Sequence, residues 1–127
     1  MKPIKLKINT KTKQYPIIIG SNLCSNISRI IKENSVNFNQ CLIVVDNNVP
    51  KKSFLKFKKS LNKKKIYVYF FKASEINKNL KSVNNILDIL LNKNFSREDC
   101  LISVGGGITG DITGFVSSLF KRGLKFI

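Results

Sequence analysis

Apolar runs and segments of helical periodicity follow one another along most of this chain. Two short strands are predicted at Lys5–Asn9 and Gln14–Ile19, around a polar turn, and we expect them to pair antiparallel. A helix is predicted shortly after Gly20. From about residue 41 onward, continuous apolar runs predict buried strands and amphipathic spacing predicts helices between them. These later elements are Cys41–Val45, Pro50–Leu61, Ile66–Phe71, a helix from Leu80 to about Asn94, Leu101–Val104, Ile108–Phe120 and the start of a strand at Leu124–Ile127.

The alternation of strands and helices predicts an α/β fold. We expect a Rossmann-like, mostly parallel sheet with flanking helices, in which Cys41–Val45 and Leu101–Val104 are central strands. Ligands of such sheets bind beyond the carboxyl ends of the strands. The loops Asp46–Asn48, Lys72–Lys78 and Gly105–Gly107 are therefore predicted to lie at one rim.

The most informative of these loops is the glycine turn, Gly105–Gly107, which lies between a predicted strand and a predicted helix. Backbone N–H groups at a helix start bind phosphate well, and glycine lets a phosphate approach the backbone closely. Alternatively, the glycines serve close packing of the helix on the sheet, since Gly106, Gly110 and Gly114 share one helix face. Three consecutive glycines favour the phosphate site, although packing remains an alternative.

The predicted helix after the glycine turn carries two further features. One face holds large apolar side chains that we interpret as core, namely Ile108, Ile112, Phe115, Val116, Leu119 and Phe120. Asp111 is predicted in the first helical turn, where it would oppose the helix dipole. Its carboxylate would instead be repelled by a bound pyrophosphate, so a hydrogen bond to a ribose or nicotinamide group is a second hypothesis.

Composition narrows the classes of function. Lysine and arginine number 23 against seven acidic residues, a net charge of +16. Only three of the 23 are arginine, and the lysine-, asparagine- and isoleucine-rich composition is typical of adenine- and thymine-rich codons. A basic nucleic-acid-binding module therefore stays an alternative, but no specific nucleic-acid partner is expected.

Histidine is absent and the three cysteines are not clustered, so we expect no metal site within the chain and a reducing, cytoplasmic environment. Leu101–Phe120 is a poor membrane span because it contains three consecutive glycines and Asp111. No membrane partner is expected.

The glycine turn and the segments around it resemble a known family. Residues 105–115 and 121–127 resemble the GGGxxGDxxGF and RGxxFI motifs of 3-dehydroquinate synthases. Tyr15–Gly20, Val45–Val49 and Ser74–Lys78 are similar to further family segments in the same order, with serine where the family's GExxK segment has glycine. The GGGxxGD core also occurs in glycerol-type and iron-type alcohol dehydrogenases, which remain the alternative within the superfamily.

The resemblance implies NAD as cofactor and eight cofactor-binding residues. These are Asp46, Asn48, Glu75, Lys78, Gly106, Gly107, Ile108 and Asp111. The first two would meet the adenosine side, the next two the ribose and phosphates, the next three the pyrophosphate, and the last the nicotinamide half. Arg122 would bind the phosphate of the substrate across a dimer, a role that suits the bidentate guanidinium group.

The activity implied by the resemblance is conversion of 3-deoxy-arabino-heptulosonate 7-phosphate to 3-dehydroquinate with phosphate elimination. This is a carbon–oxygen lyase reaction of the shikimate pathway, which serves aromatic amino acid biosynthesis. The family also implies a homodimer and zinc or another divalent metal, with ligands expected downstream of Ile127. We therefore interpret residues 1–127 as an N-terminal NAD-binding domain of the dehydroquinate synthase-like fold. We expect no catalytic residue in it, a missing C-terminal metal and substrate domain, and no activity of the chain alone.

Overall fold

A computed structural model describes residues 2–61 and 63–127. The strands are β1 (Ile4–Asn9), β2 (Gln14–Ile19), β3 (Gln40–Asp46), β4 (Lys65–Phe71), β5 (Cys100–Val104) and β6 (Lys125–Phe126). The α-helices are α1 (Ile27–Glu33), α2 (Lys51–Ser60), α3 (Leu80–Asn92) and α4 (Gly107–Leu119). Short 3-10 turns precede α1 and follow α4. The predicted elements are thus all present, with ends that differ by a few residues.

A parallel sheet with the strand order β4-β3-β5-β6 forms the centre of the molecule. The prediction that Cys41–Val45 and Leu101–Val104 are central parallel strands is confirmed. Val45 lies beside Phe70 of β4 and Val104 of β5, so the carboxyl ends of these three strands are aligned at one rim. This alignment brings the loops that follow them to the same edge.

Helices cover both faces of the parallel sheet. Successive residues of a strand point to opposite faces, so β3 contributes Leu42 and Val44 to one core and Ile43 and Val45 to the other. The first core includes residues of α3 and α4, and the second includes residues of α1 and α2. Burial on both sides explains why this strand is apolar throughout.

Strands β1 and β2 form a separate antiparallel hairpin, as predicted, with Ile4 opposite Ile19 and Leu6 opposite Ile17. These four side chains lie on one face of the hairpin and are all exposed. The hairpin is therefore amphipathic, because the lysines of β1 alternate with its apolar residues.

The interpretation of one α4 face as core is partly wrong. Ile112, Val116 and Phe120 are buried, whereas Phe115 is 47% exposed and Leu119 is 52% exposed. A helix that packs on a sheet buries only one stripe, and these two residues lie on its solvent flank. None of the helices among the described residues is long and apolar enough to cross a membrane.

Candidate functional site

The three loops predicted to share one rim do meet there. The Asn47 N–H donates a hydrogen bond of 2.9 Å to the Phe71 carbonyl, which ties the loop after β3 to the end of β4. Gly105 lies against Asp46, and Lys78 reaches across to Asp111. The rim therefore joins loop residues from β3 and β4 to the beginning of α4.

The glycine turn leads directly into the unpaired end of α4. Gly106 is the N-cap residue, and the first intrahelical hydrogen bond runs from the Gly110 N–H to the Gly106 carbonyl at 3.0 Å. The N–H groups of residues 107 to 109 precede that bond and have no partner within the helix. Such a helix end attracts anions, because free donors and the helix dipole act together.

The two explanations for the glycines apply to different positions. A Cβ added to Gly106, Gly107 or Gly110 would meet no atom within 4 Å, so packing does not require glycine there. A Cβ on Gly114 would lie 3.2 Å from the Phe126 ring, so packing does restrict that position. The open space over the first three is what a phosphate site needs.

Gly105 has a different role, because it is crowded. A Cβ at this position would lie 2.9 Å from the Asp46 Cβ and 2.9 Å from the Thr109 Oγ1. Glycine therefore permits the close approach of the β3 end to the start of α4. Without it, Asp46 and the glycine turn could not lie side by side.

Thr109 is a feature of the site that sequence reasoning missed. Its hydroxyl is fully buried and has no hydrogen-bond partner in the described part of the chain. The Thr113 hydroxyl, one turn later, donates to the Thr109 carbonyl at 2.7 Å. Nothing in the sequence distinguishes these two threonines, because only the tertiary surroundings decide which hydroxyl finds an acceptor.

Asp46 is half-buried and closes a tight turn at the end of β3. Its Oδ1 accepts a hydrogen bond of 2.9 Å from the Asn48 N–H, and its carbonyl accepts one of 3.0 Å from the Val49 N–H. Oδ2 has no donor among the residues that the structure describes. The turn thus fixes the carboxylate and leaves one oxygen for a ligand hydroxyl, while Asn48 itself is exposed beside it.

Lys78 and Asp111 form an ion pair at the mouth of the site. The Lys78 Nζ donates to the Asp111 Oδ2 at 3.0 Å. This hydrogen bond, the charge of Asp111 and, more weakly, that of Glu75 raise the pKa of Lys78. The Glu75 side chain is exposed and makes no hydrogen bond within the described residues, so Glu75 acts on the site at longer range.

The position of Asp111 corrects one prediction. Helix α4 begins at Gly107 and has no acidic residue in its first turn, so Asp111 does not lie there. The stabilisation of an acid by the helix dipole falls off beyond the first turn. Its partner in the structure is Lys78 instead.

Two asparagines that sequence reasoning did not single out hold the loop that carries Lys78. The Asn77 Nδ2 donates to the Lys72 carbonyl at 2.9 Å, which closes the loop on itself. The Asn79 Oδ1 accepts from the Ser82 N–H at 2.9 Å and caps α3. An asparagine just before an apolar helical pattern was the available signal.

Arg122 is not brought together with the other candidate residues. It follows the far end of α4, about 20 Å from the glycine turn at 1.5 Å per helical residue. Lys121 and Arg122 both have positive φ angles, 43° and 66°, which are unfavourable for residues other than glycine. The Lys121 Nζ donates to the Phe95 carbonyl at 2.9 Å and ties down this strained turn.

A groove of about 390 Å³ opens beside the ion pair, between the beginning of α3 and α4. Leu80, Val83, Ile112 and Phe115 give it an apolar lining, with Lys78, Asn79 and Asp111 at its edge. Its volume lies within the range of sites for small ligands. The groove therefore extends the rim past Asp111, away from the glycine turn.

No group of three potential metal ligands occurs among residues 2–61 and 63–127. Cys41 and Cys100 are neighbours on β3 and β5, and burial raises the pKa of each thiol to about 12. Both are therefore uncharged at neutral pH and act as small core residues.

Comparison with known proteins places these features in a wider context. A model of the N-terminal part of 3-dehydroquinate synthase matches residues 68–127, which include β5, the glycine turn and α4. The 3-dehydroquinate synthase of Pelagibacter ubique is 58% identical over 124 residues, which are 98% of this chain and 34% of the relative. The chain spans about a third of the length of that relative.

Solved structures share the fold at lower sequence identity. A 2-deoxy-scyllo-inosose synthase, solved with carbaglucose-6-phosphate, NAD+ and Co2+, superposes with a TM-score of 0.85 at 20% identity. The match covers 97% of this chain and 33% of that protein. A 2-epi-5-epi-valiolone synthase from Streptomyces hygroscopicus, solved with NAD+ and Zn2+, gives a TM-score of 0.63 at 22% identity, over 70% of this chain and 26% of that one. The predicted fold class is thereby confirmed.

Proposed function

Because the chain belongs to the 3-dehydroquinate synthase family, we propose that it forms the NAD-binding part of a 3-dehydroquinate synthase. The complete enzyme would convert 3-deoxy-arabino-heptulosonate 7-phosphate to 3-dehydroquinate with elimination of phosphate. This reaction makes it a carbon–oxygen lyase of the shikimate pathway. The observation that carries the proposal is the open glycine turn beside Asp46, in a chain 58% identical to a 3-dehydroquinate synthase over 124 residues.

NAD fits the residues at the rim. The free N–H groups of Gly107 and Ile108 would donate hydrogen bonds to the pyrophosphate. The pyrophosphate could approach the backbone closely because Gly106 and Gly107 have no side chains. The unpartnered oxygen of Asp46 would accept a hydrogen bond from an adenosine ribose hydroxyl, with Asn48 beside it. When bound, NAD would supply a hydride acceptor for the substrate hydroxyl.

The nicotinamide half would extend past the glycine turn toward Asp111 and the apolar groove beside it. This direction is supported by the groove's lining, which is apolar and has polar groups at its edge. Glu75, which is exposed on the Lys78 loop, would face the ribose side of the cofactor. The protein's contribution in this region is to orient the cofactor and to exclude water from one of its sides.

A divalent metal, zinc or another, belongs to the proposal only for the complete enzyme. The described residues contain no group of three potential ligands, and the sequence has no histidine, so they do not fit a metal centre. We therefore assign no metal-dependent step to this chain, and no catalytic residue.

Arg122 would bind the phosphate of the sugar substrate in a homodimer. Its distance from the glycine turn, about 20 Å along α4, is too long for one small sugar phosphate to touch both. A second protomer that receives Arg122 would reconcile the two positions. The turn that carries Arg122 is strained, exposed and positively charged, which suits a contact with a phosphate group.

The experiment that tests this function is a hybrid enzyme. Residues 1–127 would replace the aligned segment of the Pelagibacter ubique synthase, and the hybrid would be assayed for phosphate release from the heptulosonate and for NADH formation from glycerol. We expect phosphate release without net NADH, because the synthase returns its hydride in each cycle. Net NADH from glycerol would support a glycerol-type dehydrogenase instead. The 127-residue chain, assayed in parallel, should release no phosphate.

A further inference from the structure

We propose that Lys78 promotes nucleotide binding by neutralising Asp111, and that it does not contact the phosphates itself. Lys78 would thus be a positioning residue that reduces the electrostatic repulsion of an anion at the start of α4. The inference rests on the proposed binding of NAD at the glycine turn, and it assigns Lys78 a role other than the direct contact that the family resemblance implies.

Helix α4 carries a negative charge, Asp111, close to the proposed pyrophosphate site. Asp111 follows Gly107 by four residues, so the two lie one turn apart on the same face of the helix, with about 6 Å between their backbones. A pyrophosphate held by the free N–H groups at the start of α4 would then have a carboxylate within about one turn. Two like charges at that distance repel one another, even in a partly hydrated site.

The structure supplies the compensating charge from a different segment. The Lys78 ammonium lies 3.0 Å from the Asp111 Oδ2, which is the distance of a charge-assisted hydrogen bond. The loop that presents Lys78 is fixed on both sides, by the Asn77 bond to Lys72 and by the Asn79 cap of α3. These bonds hold the backbone on either side of Lys78, and its ammonium pairs with the carboxylate in the absence of a ligand.

The pair contributes little to folding, which makes it open to mutation. Its side chains are 41% and 64% exposed, and ion pairs this exposed add little to stability because water screens them. A binding defect in a variant of either residue would therefore reflect the site and not a loss of the fold.

A double-mutant cycle with ADP as the probe tests the inference, because ADP carries the pyrophosphate and lacks the nicotinamide half. The affinities of Lys78→Met, Asp111→Asn and the double variant would be compared with that of the unaltered chain by calorimetry or NMR titration. Lys81→Met is the matched control, since it removes one exposed lysine charge from the first turn of α3. It shows how much a lower net charge alone weakens binding.

We expect Lys78→Met to weaken ADP binding a few-fold, because it leaves an uncompensated carboxylate about one helical turn from the bound phosphates. Asp111→Asn should not weaken it, and the double variant should bind within about twofold of the unaltered chain. A double variant as weak as Lys78→Met would overturn the inference, because it would show direct contact with the phosphates.

Failure of the unaltered chain to bind either ADP or NAD would overturn the inference and the NAD-binding proposal together. ADP binding by the chain, combined with a folded but inactive hybrid, would count against the synthase function alone.

Discussion

Gly105 lies so close to Asp46 that a Cβ on the glycine would stand 2.9 Å from the Cβ of the aspartate. The contact joins the ends of two adjacent parallel strands, β3 and β5, at the rim where the candidate site lies. It sets the distance between a fixed carboxylate and the free N–H groups at the start of α4. The geometry of the candidate site therefore depends on residue 105 being a glycine, which has no side chain.

Gly105→Ala should destabilise the protein by about 1–3 kcal/mol, the usual cost of forcing an extra carbon into a packed position. Gly110→Ala is the matched control, since its Cβ would meet nothing within 4 Å and alanine favours a helix interior. That variant should gain about 0.5–1 kcal/mol. Urea unfolding measures both changes, and a Gly105→Ala variant as stable as the unaltered protein would contradict the close contact.

Gly107→Ala and Gly114→Ala should have opposite effects on binding and stability. The first places a methyl group in the open space over the helix end, so the protein should stay folded and lose about tenfold or more in ADP affinity. The second presses on the Phe126 ring, 3.2 Å away, so stability should fall while ADP affinity is retained. Calorimetry and thermal unfolding on both variants separate the two outcomes. Equal ADP affinity in Gly107→Ala would contradict a phosphate site at the glycine turn, because packing does not restrict this position.

Thr109→Val should stabilise the protein by about 1 kcal/mol, because it removes a buried hydroxyl that has no partner and keeps the side-chain shape. Thr113→Val should instead cost about 0.5–1 kcal/mol, since that hydroxyl donates to the Thr109 carbonyl at 2.7 Å. Chemical denaturation of the two variants provides the comparison. A loss of stability in Thr109→Val would show that its hydroxyl is hydrogen-bonded in solution, for example by a water molecule.

Arg122→Gly should be more stable than Arg122→Ala by about 0.5–1 kcal/mol, because residue 122 has a φ of 66° and only glycine adopts it without steric cost. The alanine variant is the control for loss of the guanidinium group. Thermal unfolding measures the difference, and equal stability would argue against the left-handed backbone. In the hybrid enzyme, both variants should raise the KM for the sugar phosphate, because both remove the proposed phosphate contact.

The sequence predicted the order of elements well because burial leaves a direct mark on composition. Cys41–Val45 is apolar at every position, since both faces of a central parallel strand are covered. Where burial is one-sided the pattern is weaker, and the solvent flank of α4 was misjudged. Phe115 and Leu119 are as apolar as their buried neighbours, and only the position of the sheet decides which of them it covers.

Local chemistry also identified the glycine turn and its loop partners, because free N–H groups at a helix start are a property of the backbone itself. What each glycine does was decided by tertiary structure. Gly106 and Gly114 lie on the same face of α4 by their spacing, yet Gly106 faces open space and Gly114 faces Phe126 of β6. Likewise, the choice of Lys78 as the partner of Asp111 depends on where a distant loop ends. Periodicity records the environment of each element averaged along its length, whereas contacts between distant segments depend on how the elements pack together.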